Sequence, residues 1–383
     1  MRQLKASFKV FDVSYISVDS IQEGVGASQI IPLVKALASQ GKCISLTTFE
    51  KLPPPIRLKV ELSEAGVHWI ALRYGKNGAL NGLLRLGKLV LYMPRAKIIH
   101  ARSDIPAVAA VLRFPFGNIL WDVRSLWADQ KVMIQKSLTH KALYGAYRGL
   151  ESVAANRSAG MSTLTSAVVP ILEKRHKQLP QFRIVVPTAV DLDYFKFNPV
   201  MPSKALALFS GTYNDYYDLD LSSLFMEELR KQIIVETDWA RPLESNKSSL
   251  GVGEERVFPT AQTGMAELIP NYSFGISICK MNAGPSLTAA MPTKIGEFLA
   301  CGRPVVVNKG LGDMDQFIEE FDAGVILDGS SDNLIKAASR LIDLTLDPQT
   351  PQRCRALAEK YFSMDLGARK YLDLYSQMLS VKK

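Results

Sequence analysis

Residues 284–307 read GPSLTAAMPTKIGEFLACGRPVVV, and they predict a loop, a short helix and a strand in succession. Pro292 suits the first helical turn, because its missing N–H would have no helical partner there. Gly302 and Pro304 would end the helix, and the valine run that follows is typical of a strand buried on both faces. Because a helix start presents free backbone N–H groups and the positive end of the helix dipole, the stretch predicts a phosphate-binding site.

The composition limits the domain count and the partners. The chain has 383 residues, of which 47% are hydrophobic, so two domains are favoured and global disorder is excluded. Lysine and arginine (46) exceed aspartate and glutamate (37), which gives a net charge of +9. This excess favours anionic partners, and an inert basic surface is the alternative. Because the basic residues are not clustered with aromatic residues in one element, we expect no nucleic-acid partner.

The sequence contains no evident targeting or membrane-spanning segment. The first ten residues lack the apolar core of a signal peptide, and no window of about 20 uncharged apolar residues occurs. We therefore expect a cytoplasmic protein that needs no spanning helix. The leucine-rich helix predicted over residues 80–92 has flanking basic residues. It would either lie peripherally on the inner face of an anionic membrane or, as we favour, pack as an ordinary helix with a solvated basic side.

Strands and helices alternate along the whole chain, as hydrophobic periodicity indicates. Strands are predicted over residues 8–17, 43–48, 67–72, 97–101, 118–123, 160–164, 183–186, 205–209, 233–237, 256–258, 274–279, 305–307 and 323–327. Helices are predicted over residues 30–39, 57–65, 80–92, 106–112, 136–156, 167–176, 221–232, 263–269, 292–301, 333–345 and 352–379. Periodicity lapses and prolines cluster over residues 188–202, which predicts the junction between two α/β domains that face each other across a cleft.

Several stretches carry a family likeness when they are taken in order. Residues 24–29 read GVGASQ, residues 186–195 read VPTAVDLDYF, residues 209–212 read FSGT, and residues 292–306 read PTKIGEFLACGRPVV. They resemble the glycine loop, the interdomain segment, the strand opening the C-terminal domain and the donor-site element of retaining glycosyltransferases of the GT-B fold, specifically family 4. The likeness covers nearly the whole chain, with Ala189 in place of a usual glycine.

The resemblance implies an α/β protein of the GT-B type, with two Rossmann-like domains that face each other across a cleft. Residues 1–190 would form the acceptor-side domain and residues 191–362 the nucleotide-sugar donor domain. Residues 363–383 would form a helix that packs back on the first domain, since the helix with Tyr371 and Tyr375 resembles the returning C-terminal helices of this fold.

The resemblance also implies a nucleoside-diphosphate sugar as donor substrate, with no cofactor and no metal. Thr293 and Lys294 would bind the diphosphate and Glu297 the ribose, while Gly26 would let its loop approach the diphosphate. A solvated surface charge is the alternative for Lys294, and an exposed carboxylate is the alternative for Glu297. The predicted donor-binding residues are Gly24, Gly26, Ser28, Gly211, Thr212, Pro292, Thr293, Lys294 and Glu297.

Two positions depart from the family pattern. Ala289 stands where the first glutamate of a paired motif is expected, and residues 212–217 (TYNDYY) stand where an Arg/Lys pair is usual. Phosphate charge would then need other cations, such as Lys294, Lys280 or Arg124. The predicted catalytic residues are Glu297, Lys294 and Arg124. No general base is assigned, because in the front-face mechanism usually described for retaining enzymes of this fold the donor phosphate takes the acceptor proton.

Polar residues follow two neighbouring predicted strands of the first domain, where the carboxyl ends of parallel strands form a ligand crevice. The predicted acceptor-side residues are Arg102, Asp104, Asp122 and Asp129. Buried structural ion pairs are the alternative. The Asp-x-Asp spacings that start at Asp191 and Asp313 are not assigned to a metal, since the first lies in the linker and helix capping suffices for the second.

The predicted function is retaining transfer of a sugar from a nucleoside-diphosphate sugar to a hydroxyl of a polysaccharide or lipid-linked glycan precursor. A catalytically silent GT-B-like binding or scaffold protein is the first alternative, because of Ala289 and the missing cation pair. A GT-B-like nucleotide-sugar epimerase is the second.

Overall fold

A computed structural model of the protein describes residues 10–24, 26–75, 78–134, 138–243, 245 and 247–381. Its strands are β1 (Phe11–Ile16), β2 (Ile44–Glu50), β3 (Val67–Arg73), β4 (Ala96–Arg102), β5 (Ile119–Val123), β6 (Gly160–Thr163), β7 (Phe182–Val185), β8 (Ala205–Ser210), β9 (Val235–Pro242), β10 (Arg256–Thr260), β11 (Phe274–Ser277), β12 (Val305–Asn308) and β13 (Gly324–Leu327). Its α-helices are α1 (Ile31–Ser39), α2 (Ile56–Glu64), α3 (Ala79–Tyr92), α4 (Asp104–Arg113), α5 (Trp127–Ile134), α6 (Leu138–Arg157), α7 (Val169–Arg175), α8 (Leu219–Arg230), α9 (Met265–Leu268), α10 (Pro285–Thr288), α11 (Thr293–Ala300), α12 (Met314–Phe321), α13 (Ser331–Leu346), α14 (Thr350–Leu357) and α15 (Met364–Ser380).

The strands form two parallel sheets, one in each half of the chain. The first sheet has seven strands in the order β3-β2-β1-β4-β5-β6-β7, and the second has six in the order β10-β9-β8-β11-β12-β13. In each sheet the strand order reverses once, between β1 and β4 and between β8 and β11. Ligands of such sheets bind beyond the carboxyl ends of the strands at this reversal. The two-domain α/β prediction is therefore confirmed, and it directs attention to the loops after these four strands.

The valine run of β12 shows how the second sheet is covered on both faces. Val305, Val306 and Val307 are each at most 1% exposed. Val305 and Val307 belong to one apolar cluster and Val306 to the other, because successive side chains of a strand point to opposite faces. The prediction of a strand buried on both faces is confirmed.

The end of the chain is helical, as predicted over residues 352–379, but a break at Ser363 divides it. Residues 358–362 continue from α14 as a π-helical stretch, and α15 begins at Met364 as the returning helix expected over residues 363–383. The backbone of Val190 explains the break: its N–H donates to the carbonyl of Phe362 (2.7 Å), and its carbonyl accepts from the N–H of Met364 (2.9 Å). Ser363 then caps α15 through its side chain, and α15 packs against α1 and β7 of the first domain.

Three further elements differ from the sequence prediction. The strand predicted over residues 233–237 instead covers Val235–Pro242, because Ile233 still donates its N–H to the helical carbonyl of Leu229. Helix α5 was not predicted, because it lies among polar residues and the sequence there shows no clear helical pattern of apolar residues. Residues 26–30 form one π-helical turn ahead of α1 instead of a loop. The starts of the strand and helix predicted at residues 8 and 136 lie outside the described residues.

Candidate functional site

Helix α11 lies at the centre of the candidate site. It begins at Thr293, directly after Pro292, and the side chains from Lys294 to Ala300 are buried. A Cβ added at Gly296 would lie 2.9 Å from a methyl group of Val190, so the helix is pressed against the linker. Glu297 is only 4% exposed. The alternative of an exposed helix carboxylate is therefore wrong.

Lys294 lies between two tyrosine rings. Its Nζ is 3.9 Å from the ring centroid of Tyr213 and 4.3 Å from that of Tyr217, and Nζ has no hydrogen-bond partner among the described residues. Burial lowers the pKa of Lys294 to about 7, against smaller opposing effects of Cys279 and Glu297. The solvated-charge alternative is wrong, because Lys294 is a buried group that is easily deprotonated.

The tyrosines come from the segment that replaces the family's Arg/Lys pair. The hydroxyl of Tyr213 donates to the carbonyl of Ile276 (2.8 Å), and that of Tyr216 donates to the carbonyl of Ser286 (2.9 Å). Burial raises the pKa of both hydroxyls well above the usual value, so both stay neutral. The segment is thus fixed to β11 and α10, where it covers Lys294 with aromatic rings. The sequence shows these tyrosines, but not that they close over a lysine.

The other predicted donor residues after β8 lie nearby. Gly211 has a φ of +77°, a conformation that glycine adopts without strain, and its carbonyl accepts from Nε1 of Trp239 (3.0 Å). Thr212 is exposed. Both follow β8 at the strand reversal, on the side of the sheet where α11 begins.

The glycine loop of the first domain approaches α11 through a residue that sequence reasoning missed. Gly24 is exposed, Ser28 is half-buried, and Gly26 is buried. A Cβ at Gly26 would lie 1.8 Å from the carbonyl oxygen of Ser20, so the turn itself requires this glycine. Gln29, the last residue of the quoted loop, donates from Nε2 to Oγ1 of Thr293.

Two arginines hold the other end of the Gln29 amide. Oε1 of Gln29 accepts from Nη2 of Arg102 (3.0 Å) and from Nη2 of Arg124 (2.5 Å). Nε of Arg102 donates to Asp19 (3.1 Å), and Nη1 of Arg124 lies 3.7 Å from Asp122. A continuous polar chain therefore runs from the ends of β4 and β5 to the first residue of α11.

Asp122 is buried beneath these arginines. Its Oδ1 accepts from the hydroxyls of Ser162 (2.9 Å) and Tyr371 (3.4 Å), and its Oδ2 lies 3.4 Å from Nε2 of His100. Burial alone would raise the pKa of Asp122, but the charge of Arg124 and the nearby His100 ring lower it below its usual range. Asp122 is thus a fixed anion that ties α15 to the first sheet.

Asp104 and Asp129 have structural partners within the first domain. Oδ1 of Asp104 accepts from Nε1 of Trp121 (2.9 Å). Burial, together with the negative charge of Glu151, raises the pKa of Asp104 to about 7. Both oxygens of Asp129 accept from Arg175, each at 2.8 Å. The structure thus brings Arg102, Arg124 and Asp122 together near α11, whereas Asp104 and Asp129 belong to other contacts.

Asp313 joins the two domains instead of capping its own helix. Its carboxylate accepts from the N–H (2.7 Å) and hydroxyl (3.0 Å) of Ser166 and from the N–H of Ala167 (2.9 Å). The capping prediction is wrong for this residue, because the carboxylate makes no cap hydrogen bond in α12. Asp191 accepts from the N–H groups of Asp193 and Tyr194, each at 3.0 Å, within the linker.

Two more hydrogen bonds close the domains around the loop before α11. Thr165 donates its hydroxyl to the carbonyl of Thr288 (2.7 Å), and Thr188 donates to that of Met291 (2.6 Å). Between them, Ala289 is 3% exposed and packs into an apolar cluster of the first domain. Position 289, where the first glutamate was expected, is therefore buried against the first domain.

Two parallel Rossmann-like sheets, with a C-terminal helix that returns to the first domain, define the GT-B fold. Comparison with models of protein families and with curated protein sequences finds no match. Among solved structures, sucrose-phosphate synthase from Thermosynechococcus elongatus aligns with a TM-score of 0.71 and 14% identity, over 97% of this chain and 99% of that chain. Anabaena HepE in complex with UDP and glucose aligns with a TM-score of 0.66 and 12% identity, over 96% and 99%.

WaaG, a glycosyltransferase involved in lipopolysaccharide biosynthesis, aligns with a TM-score of 0.63 and 14% identity, over 95% of this chain and 99% of that chain. These structures confirm the predicted GT-B fold. Four points stay predictions: membership of family 4, retention of configuration, the domain boundaries and the roles of the site residues. Within the described part of the chain, no helix has the length and apolar character needed to span a membrane.

Proposed function

We propose that the protein transfers a sugar, with retention, from a nucleoside-diphosphate sugar to a hydroxyl group. The observation that carries this proposal is the start of α11, where Thr293, Lys294 and Glu297 lie on one short helix between the two strand reversals. The backbone N–H groups and the dipole of this helix suit a diphosphate. The GT-B fold supports the proposal, because HepE holds UDP and glucose on the same fold.

Different residues of the chain would perform different parts of the proposed reaction. The first N–H groups of α11 bind the diphosphate and the carboxylate of Glu297 binds the ribose hydroxyls. Lys294, whose pKa of about 7 leaves it only partly protonated at neutral pH, takes up a proton and adds positive charge when the diphosphate arrives. Since the leaving phosphate accepts the proton of the attacking hydroxyl, the protein supplies orientation and charge stabilisation and no general base.

The acceptor is proposed to be a polysaccharide or lipid-linked glycan precursor at a membrane surface. The outer face of α3 carries Leu80, Leu83, Leu84 and Leu91, which are 56–70% exposed. They lie at helical spacing on one side, and α3 contains Arg85 and Lys88 but no acidic residue. Helix α3 packs into the first domain through Leu86, Leu89 and Val90, as favoured, but its outward face is apolar where a solvated basic side was expected. Leucines with flanking cations suit the peripheral surface of an anionic membrane.

A nucleotide-sugar-binding protein without transfer is the second candidate function. The burial of Ala289 against the first domain favours it, because no carboxylate occupies the position where the family holds the sugar. An epimerase of the same fold would be recognised by a free epimerised product.

The experiment is a thermal-shift series with nucleoside diphosphates and their sugars, with uridine nucleotides first. A ligand of the native state raises the melting temperature, and we expect a shift for at least one nucleoside diphosphate. Glu297→Gln, which keeps the size of the side chain, should reduce that shift. Glu267→Gln is the control, because Glu267 lies on α9 in the same domain. No shift with any nucleotide would refute the proposal.

A further inference from the structure

Two guanidinium groups converge on one neutral oxygen in the first domain. Arg102 ends β4 and Arg124 follows β5, the neighbouring strand, and both donate from Nη2 to Oε1 of Gln29, at 3.0 and 2.5 Å. Their side chains are only 5% and 10% exposed. Guanidinium groups form their strongest hydrogen bonds with phosphate or carboxylate oxygens. An amide oxygen is thus a weak partner for a buried pair of this kind.

The surrounding charges keep the pair in place without a ligand. Asp19 accepts from Nε of Arg102 (3.1 Å), and Asp122 lies 3.7 Å from Nη1 of Arg124. His100, on the far side of Asp122, has its pKa lowered by burial, which outweighs the effect of the nearby Asp122 carboxylate. Nε of Arg124 has no hydrogen-bond partner within the described ranges. The carboxylates of Asp19 and Asp122 therefore balance the positive charges of the two arginines, but Nε of Arg124 still has no acceptor among the described residues.

The arginine pair lies next to the start of α11. Nε2 of the same Gln29 side chain donates to Oγ1 of Thr293, so one amide group fills the space between the arginines and the helix start. A small cavity of about 20 Å³ adjoins it and is lined by Gln29, both arginines and Tyr371. This volume holds about one water molecule. A phosphate group is larger than this cavity, so it enters by displacing the Gln29 amide.

We propose that Arg102 and Arg124 form a phosphate-binding subsite, which the Gln29 amide occupies in the absence of ligand. A phosphate oxygen replaces Oε1 of Gln29 and takes both guanidinium donors, while the helix start at Thr293 binds the same phosphate. The first domain then supplies the cation pair that the second domain lacks after β8. The assignment of this phosphate to the donor rests on the proposed function, and a phosphate carried by the acceptor is the other source.

The test is calorimetric binding of inorganic pyrophosphate, uridine diphosphate and uridine. Gln29→Glu places a carboxylate of the same size on the two arginines, so it should raise the melting temperature and weaken pyrophosphate binding by about tenfold or more. Arg124→Gln should weaken it similarly. Arg95→Gln, an exposed arginine of the same domain, should leave it unchanged. Because Gln29→Glu adds an ion pair, it keeps the test valid even if Arg124→Gln fails to fold.

The ligands separate the two sources of phosphate. Weaker binding of uridine diphosphate as well as pyrophosphate, with uridine unaffected, assigns the subsite to the donor. Weaker pyrophosphate binding alone assigns it to the acceptor. Equal pyrophosphate binding by the wild type and both variants, or no binding by the wild type, would overturn the subsite. Absence of sugar transfer with pyrophosphate binding intact would refute the transferase and leave the subsite standing.

Discussion

Nζ of Lys294 lies 3.9 Å from the centre of the Tyr213 ring, and the same nitrogen lies over Tyr217. The contact places the expected phosphate-binding cation inside an aromatic pair at the start of α11. A cation–π contact stabilises the charged lysine, whereas burial favours the neutral form. Burial dominates, since the pKa of Lys294 is lowered to about 7.

The first prediction is that nucleotide binding takes up a proton. At pH 8 the ligand-free lysine is mostly neutral, and an adjacent phosphate restores its charge. Titration calorimetry with a nucleoside diphosphate, in two buffers of different ionisation enthalpy, should show uptake that approaches one proton. Lys294→Met should abolish the uptake, and equal uptake by both proteins would refute the role of this lysine.

The first prediction extends to stability, because the same lowered pKa of Lys294 makes the free energy of unfolding depend on pH. The pKa of Lys294 is about 7 in the folded protein and 10.5 as the ordinary value, so the unfolded chain binds more protons between these limits. Its contribution to the free energy of unfolding therefore rises from pH 7 to 10.5 and is lost as the pH falls through 7. Urea unfolding should show a smaller rise with pH for Lys294→Met. An identical pH profile in both proteins would contradict the lowered pKa.

The second prediction concerns the domain contact of Asp313. Asp313→Ala removes three hydrogen bonds to Ser166 and Ala167, so we expect a larger radius of gyration by X-ray scattering and faster proteolysis of the linker. Asp315→Ala is the matched control, because among the described residues the Asp315 carboxylate accepts from the N–H of Gly310, within its own domain. If the scattering curves of the two variants coincide, Asp313 does not hold the domains together.

The third prediction uses the raised pKa of Asp104. This pKa is about 7 in the folded protein against 3.8 ordinarily, so the unfolded chain loses its proton first. The contribution of Asp104 to the free energy of unfolding is therefore fully present below about pH 4 and is lost as the pH rises through 7. Asp104→Asn keeps an acceptor for Trp121 and stays neutral, so it should stabilise the protein by at least about 1 kcal/mol at pH 8. Urea unfolding at pH 5 and pH 8 checks this, and an equal effect at both values would contradict it.

The fourth prediction concerns the leucine face of α3. Leu83→Asn and Leu84→Asn together should reduce co-sedimentation with vesicles that contain phosphatidylglycerol, because both apolar area and charge attraction contribute to binding. Ile234→Asn is the control, since Ile234 is 94% exposed but lies in the second domain. Binding that is unchanged in the double variant, or lost equally in the control, would refute a membrane role for this face.

Local signals were enough to predict α11 and most strands. Pro292, Gly302 and the valine run act through backbone geometry and burial, which sequence patterns record directly. The returning helix over residues 363–383 was expected from the family resemblance, but the backbone contacts of Val190 that divide it from α14 at Ser363 could not be predicted, because Val190 lies far away along the chain. Gln29 and Thr293 are 264 positions apart, so their contact depends on how the domains close. Asp313 resembled a helix cap for the same reason: its partners belong to the other domain.

The measurement that tests the central claim most directly is release of nucleoside diphosphate from a panel of nucleoside-diphosphate sugars. We expect purified wild-type protein to release nucleoside diphosphate from at least one donor, faster with a membrane glycan fraction as acceptor. Glu297→Gln should be slower by about tenfold or more, since a charged hydrogen bond to the donor is lost. No release from any donor, or an equal rate with Glu297→Gln, would contradict the proposed transferase site on α11.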